Sequence, residues 1–373
     1  MNDAAASRMV RLTESLQFAA SSNATLQNVK AKQEVIVAAG SLHSPQLLQV
    51  SGIGDPALLS SINVPTVVDL PAVGQSLHDH VSVIIVNSGM RLPSMIERLA
   101  LTDPEVNTTL RLNSELTSNT TFAAEARAQY DSEKRGPLTN PTGDFLLFLP
   151  LSTFSNASDS IHAAALAADA SLSLSDDVPA EVAKGYTASY ESLNAKLLAD
   201  DSAPLEVIWA DGTIFLGLQH PYSRGSVKAP SSSIFDAPIA DAGFLRNPLD
   251  TILLREAVRF ARRLVATPSI AELNPFEAVP GANVTSDADI DEYIKNSAGT
   301  LWHPAGSCKL GKREDGGVVD NELKVYGIEG LRVVDASVFP ILPAAHTMTT
   351  VYAVAERAAD IIKGVGGGNG EGY

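Results

Sequence analysis

Gly40-Ser41-Leu42-His43-Ser44-Pro45-Gln46-Leu47-Leu48-Gln49-Val50-Ser51-Gly52-Ile53-Gly54 follows directly on Glu34-Val35-Ile36-Val37-Ala38-Ala39. The apolar run predicts a short buried strand whose small terminal residues let another group approach the backbone closely. Ser44-Pro45 predicts the start of a helix, because the missing N–H of proline costs nothing in a first turn. Ser51 to Gly54 ends it, glycine being free to take positive φ. Further on, the pattern predicts a short helix from Pro56 to Ile62, an extended segment from Val64 to Leu70 and a turn over Pro71-Ala72-Val73-Gly74.

The C-terminal part repeats the strand–helix pattern. Leu331 to Ala336 reads as a strand ending in an acid and a small residue. Thr349 to Ile362 reads as a helix that buries Val351, Val354, Ala355, Ala358 and Ile362. The middle differs. Residues 152 to 176 are Ser/Ala/Asp-rich with weak patterning and predict surface loops and helices. Leu205 to Leu218 suggests strands, Tyr222-Ser223-Arg224-Gly225 a turn, and Ser226-Val227-Lys228 another strand. Leu249 to Val265 has helical spacing, with Leu253, Ala257, Phe260 and Leu264 on one face and Asp250 as N-cap. No internal repeat is visible, and residues 1 to 30 are polar and poorly periodic. The glycine-rich stretch Gly364 to Tyr373 predicts a frayed tail.

A chain of 373 residues with 45% apolar and 19% charged residues can bury one large core or two smaller ones. Its net charge of −16 repels phosphate backbones, which argues against a nucleic-acid partner. The single cysteine, Cys308, excludes a disulfide framework and a cysteine metal site. Met1 to Arg8 has no basic segment leading into an apolar run, so it does not read as a signal peptide. The longest apolar stretch, Val81 to Val86, is too short to span a membrane, so no membrane partner is expected. Sequons at Asn23, Asn107, Asn119, Asn156 and Asn283 tilt the expectation towards an extracellular glycoprotein.

Three tempting motifs carry little. Gly306 to Arg313 nearly matches a P-loop, but ends in arginine where magnesium needs a hydroxyl, and no clear strand precedes it. Gly52-Ile53-Gly54-Asp55-Pro56-Ala57 imitates a dinucleotide fingerprint, but sits at a helix end. His78-Asp79-His80 lacks a third ligand nearby and reads as loop structure rather than a metal site. No Gly-X-Gly-X-X-Gly follows a hydrophobic strand anywhere.

Taken in order, several blocks resemble the glucose–methanol–choline (GMC) oxidoreductases. Gly40 to Gly54 looks like the second signature of that family. Val73-Gly74-Gln75-Ser76-Leu77-His78-Asp79-His80 resembles its next segment, and His220-Pro221-Tyr222-Ser223-Arg224-Gly225 a strand–turn of its substrate domain. Trp302-His303-Pro304-Ala305-Gly306-Ser307-Cys308, Val318 to Ser337 and Ala345-His346 to Glu356 look like its C-terminal block. The resemblance covers nearly the whole chain.

The resemblance implies an α/β plus α+β protein. Residues 1–85 and 303–363 would form an incomplete Rossmann-like FAD-binding domain, and 86–302 a substrate domain built on an antiparallel sheet flanked by helices, with 364–373 as tail. It implies FAD as cofactor, an alcohol as substrate, and oxygen or another electron acceptor. His303 would be the catalytic base and His346 its partner. Thr347 and Met348 would contact FAD through their backbones at the start of the last helix, and Asp335 and Ala336 would face its phosphate–ribityl part. Ala39 and Gly40 are candidates for the adenosine side, the alternative being tight core packing. The chemistry agrees with this. A hydride leaves an alcohol carbon readily only if the hydroxyl proton leaves too, and a neutral imidazole with a pKa near ~6.5 suits that transfer. A second imidazole can hold the alkoxide oxygen, while the cofactor carries the redox step. The family's Gly-X-Gly-X-X-Gly unit has no counterpart in these residues, so the resemblance implies a C-terminal portion. The alternative reading is a non-catalytic remnant that does not bind FAD by itself.

Overall fold

The computed structural model describes residues 15–88, 115–139, 145–210, 212–272 and 274–364. The expectations for the first residues, the Asn107 sequon and the tail beyond Gly364 lie outside them.

The strands are β1 (Ser15–Phe18), β2 (Gln27–Lys30), β3 (Val35–Val37), β4 (Ile53–Gly54), β5 (Val68–Asp69), β6 (Gln75–Leu77), β7 (Val81–Ser88), β8 (Phe145–Leu149), β9 (Leu205–Ala210), β10 (Thr213–Leu218), β11 (Gly225–Lys228), β12 (Ile239–Asp241), β13 (Phe276–Val279), β14 (Gly299–Thr300) and β15 (Leu331–Val333). The helices that matter below are α1 (Gly40–Val50), α2 (Pro56–Ser61), α3 (Thr120–Glu133), α4 (Ser158–Ala167), α5 (Ala180–Leu198), α6 (Pro248–Val265), α7 (Asp287–Ser297) and α8 (Thr347–Lys363).

Two packing centres organise the molecule. In the first, an antiparallel sheet runs in the order β13-β7-β10-β9-β8, with β14 also paired to β7. Alternate residues Ile214, Leu216 and Leu218 of β10 are buried with Val81, Val83 and Ile85 of β7, against Leu253, Leu254, Ala257 and Val258 of α6 and Ile290 and Ile294 of α7. In the second, β3 and β15 pair in parallel, Leu331 opposite Val35 and Val333 opposite Val37. Val37, Leu48, Val333, Val338 and Ala358 share its core. Parallel strands joined through helices on one side, and an antiparallel sheet covered by helices on the other, give the α/β plus α+β architecture.

Several local expectations change. The division expected at 85/86 falls inside β7, whose buried apolar residues Val81, Val83 and Ile85 belong to the antiparallel-sheet core. Helix α1 begins at Gly40 rather than at Ser44-Pro45, so Pro45 stands inside it. It is tolerated because the Ser41 carbonyl, which a non-proline residue at 45 would bond, accepts from the Ser307 hydroxyl at 2.6 Å. Asp250 is not the N-cap of α6. Asn247 caps it, accepting from Leu249 N, and Asp250 is buried in the first turn, where its carboxylate accepts from the amides of Tyr222 and Ser223. Of the stripe expected on α6, Phe260 and Leu264 are only half-buried. On α8 Ala358 alone is buried and Ala355 is exposed. Only Val68 and Asp69 of the expected extended segment pair as a strand, and Tyr222 to Arg224 carries no defined turn. Residues 152 to 176 are not all surface, since Phe154, Ile161 and Ala165 join the first core. The polar N-terminal stretch holds the β1–β2 hairpin, which a period-2 reading missed because both its faces are exposed. No helix among the described residues is long and apolar enough to cross a membrane.

Candidate active site

The site forms where an antiparallel ladder is interrupted. Thr300 pairs with Val81, Leu301 N donates to the His80 carbonyl, and the ladder resumes with His78 and Ala305 exchanging both backbone bonds. Between these points Asp79 alone faces Trp302, His303 and Pro304. Such a bulge re-aims side chains away from the sheet. Trp302 takes the left-handed conformation, φ +64°, with its side chain largely in solvent.

His303 thereby meets two other imidazoles. Its ring centre is 5.3 Å from that of His346 and 5.0 Å from that of His80. His80 Nδ1 lies 3.0 Å from His303 Nδ1, and His80 Nε2 lies 3.1 Å from the Pro343 carbonyl. A carbonyl only accepts, so His80 Nε2 carries the proton. Burial, and secondarily the neighbouring His303, hold the His80 pKa down at about 3, so His80 is neutral and its Nδ1 is an acceptor. His303 must then donate from Nδ1, which leaves the lone pair of neutral His303 on Nε2. Burial and the nearby His346 also lower the His303 pKa.

His346 is the residue before the first turn of α8 and is half-exposed. Its Nε2 lies 2.8 Å from Oε1 of the fully buried Glu206, whose Oε2 accepts from Gln219 Nε2 at 3.0 Å. Burial raises the Glu206 pKa, while His346 and Gln219 pull it back. Next to them His220 is pushed down to about 4, chiefly by burial, and its Nδ1 has no partner.

The residues expected on the cofactor side fall in two groups. At the end of β15, Asp335 accepts from Gly40 N at 2.9 Å, Ser44 Oγ at 2.5 Å and Ser337 N at 2.8 Å. Both its oxygens are used and the residue is buried, so it ties β15 to the start of α1 rather than presenting a free carboxylate. Ala336 is half-buried and its carbonyl accepts from Gly306 N at 3.3 Å, which links this corner to the bulge. Ala39 is exposed, and a Cβ on Gly40 (φ +81°) would meet nothing within 4 Å. Tight core packing is therefore not why these residues are small. At the start of α8, Thr347 is half-buried and Met348 exposed, with no side-chain cap and no acid in the first turn. The first-turn amides therefore receive no bond from the His346 side chain.

Glu206, His80, Asp79 and Gln219 were not identified from the sequence as site residues. Glu206 had a signal, an acid inside the apolar run Leu205-Glu206-Val207-Ile208-Trp209. His78 bonds the Ser76 carbonyl, in keeping with loop structure, and His80 turns to His303. The near-match to a P-loop offers phosphate no amide cradle, since Gly306, Cys308 and Leu310 donate to the carbonyls of Ala336, Ser337 and Val338.

Family models described as GMC oxidoreductase match residues 8–82 and 221–355. A GMC oxidoreductase family protein of Malassezia sympodialis, Mala s 12, is 35% identical over 356 residues, covering 94% of this chain and 52% of the relative. Among solved structures, an FAD-dependent oxidoreductase from Chaetomium thermophilum is 32% identical with a TM-score of 0.85, over 95% of this chain and 59% of its own. A fungal aryl-alcohol oxidase is 35% identical with a TM-score of 0.81, over 93% and 57%. The chain spans about half the length of the curated relatives it matches. With matching models at both ends, relatives along nearly all its length and the same fold in solved members, the chain belongs to the GMC oxidoreductase family.

Proposed function

We propose that this chain supplies the proton-transfer site and the flavin-facing end of an FAD-dependent oxidoreductase acting on the CH–OH group of an alcohol. The observation that carries the reading is the proton bookkeeping at His303. Pro343 fixes His80, His80 fixes His303, and the free lone pair at His303 Nε2 is the one a substrate hydroxyl needs. The depressed pKa keeps that nitrogen unprotonated at neutral pH.

In this reading His303 Nε2 takes the hydroxyl proton. His346, anchored through Nε2 by the Glu206 carboxylate, would hold the substrate oxygen through Nδ1. Bound FAD would supply the acceptor for the hydride of the alcohol carbon. Its fit is supported by the uncapped start of α8, where the amides of Thr347 and Met348 would hold the ring, and by the open space at Gly40, where it would lie against Ala39 and Ala336. Asp335 would act through the Gly40 amide that it orients. We assign residues 15–80 and 303–363 to the flavin side and the sheet containing β7 and β14 to the substrate side. The electron acceptor is oxygen or another small oxidant. The exposed sequons Asn23, Asn156 and Asn283 support an extracellular glycoprotein.

The test is the visible spectrum of the purified chain with and without added FAD, followed by turnover of an aryl alcohol. A flavin band retained in His303→Ala together with lost oxidation is the expected result. Undiminished turnover in that variant overturns the assignment of the base. No band at saturating FAD overturns cofactor binding by this chain alone and favours the remnant.

A further inference from the structure

The backbone of His303 is held as deliberately as its ring. Asp79 is the single residue opposite the three-residue bulge, and both its oxygens point into it. Oδ1 accepts from His303 N at 2.9 Å, and Oδ2 accepts from the Thr300 hydroxyl. That hydroxyl in turn accepts from Trp302 N at 2.7 Å. The donors form one directed chain, from Trp302 N–H to Thr300 O–H to the carboxylate, so the two amides entering the bulge are both satisfied. Trp302 takes positive φ, a strained conformation for a bulky residue that persists only where the surroundings impose it. The next residue along, His80, bonds the His303 ring. Two consecutive residues thus grip His303, one by its backbone and one by its side chain.

We infer that Asp79 is a positioning residue for His303, holding the Trp302–His303 bulge so that the imidazole keeps its bond to His80 and presents Nε2. This rests on the reading of His303 as the base, and it adds a residue that acts only through His303. Asp79 is buried and both its carboxylate oxygens bond groups of this loop, so it acts on His303 through geometry.

The test uses the full chain labelled with ¹⁵N-histidine. The His303 signal is assigned by its loss in His303→Gln, and the tautomer is read from two-bond ¹⁵N–¹H spectra. The wild type is expected to show one His303 tautomer, protonated at Nδ1. Asp79→Ala should give exchanging tautomers, and Asp79→Asn, whose carbonyl can still accept from His303 N, should restore the single form. Adding Trp302→Gly to Asp79→Ala should recover part of the order, because glycine holds positive φ without the steric cost. In flavin-loaded protein Asp79→Ala should lower kcat by about 100-fold with KM little changed, the loss expected for a misplaced base. If Asp79→Ala does not fold, Thr300→Ala gives the same readout by removing the hydroxyl that links Trp302 to Asp79. An unchanged His303 spectrum in the folded variant overturns the inference. Absence of alcohol turnover in the wild type would overturn the proposed function instead, and the spectra would still decide the role of Asp79.

Discussion

His80 Nδ1 stands 3.0 Å from His303 Nδ1, and the Pro343 carbonyl on the far side of His80 decides which of the two nitrogens bears the proton. A pair of imidazoles is ambiguous by itself, and one backbone acceptor removes the ambiguity. His80→Leu deletes the acceptor, leaves His303 Nδ1–H unpaired and frees the ring to take the wrong tautomer. We expect kcat to fall on the order of 10²-fold with the flavin spectrum unchanged, measured by steady-state kinetics beside absorbance.

The pH profile of kcat/KM follows from the lowered pKa of His303. As the proposed base, His303 works unprotonated, so activity should be present above its pKa and lost as pH falls through it. The break should lie below the ordinary histidine value of ~6.5. Burial is the larger cause and the His346 field the second, so His346→Asn should move the break upwards, towards but not beyond the ordinary value. A break that stays put would separate the two rings electrostatically.

Glu206→Gln keeps the shape of the buried acid and removes its charge. Gln219 Oε1 has no partner, so its amide can flip to accept from the new side chain. The variant should fold with a Tm near wild type and lose about 10-fold in kcat, as a charge-assisted bond becomes a neutral one. Glu206→Leu leaves His346 Nε2 without an acceptor and should lose more. Equal rates in the three proteins would remove Glu206 from the mechanism.

Ser307→Ala should cost about 1–3 kcal/mol of stability in urea unfolding, because the Ser41 carbonyl is then buried with no donor. Pro45→Ala supplies the missing helical N–H. The double variant should therefore regain most of the loss, whereas independent sites would simply add.

His220 ties stability to pH. Its folded pKa is depressed to about 4, so the unfolded chain binds a proton below ~6.5 that the folded chain refuses. The contribution is intact above the unfolded value and is lost as pH falls towards 4, at about 1.4 kcal/mol for each unit crossed. His220→Asn should therefore lose Tm less steeply than wild type between pH 6.5 and 4. Parallel curves would contradict it.

Much of this was legible in the chain. The strand–helix unit at Val35 to Val50, the strands of Leu205 to Leu218 and the long helix near Leu253 follow from periodicity, since burial imposes a period on local sequence. The pairing of His303 with His346 came from ordered motifs rather than from any property of two histidines 43 positions apart. Boundaries were less legible where a distant group supplies the missing bond. Pro45 reads as a helix start until Ser307 is seen to satisfy Ser41, and Asp250 reads as a cap until the amides of Tyr222 and Ser223 claim it.

The class of fold and the family, and His303 and His346 as candidates, are written in periodicity and in short ordered blocks of the chain. The folded arrangement alone shows that His80 meets His303 Nδ1, that Glu206 stands behind His346, and that Asp79 and His80 bond His303 from two sides. Proton position and pKa depend on burial and on acceptors contributed from 140 or more residues away, as Glu206 and His346 are, and no local pattern encodes them.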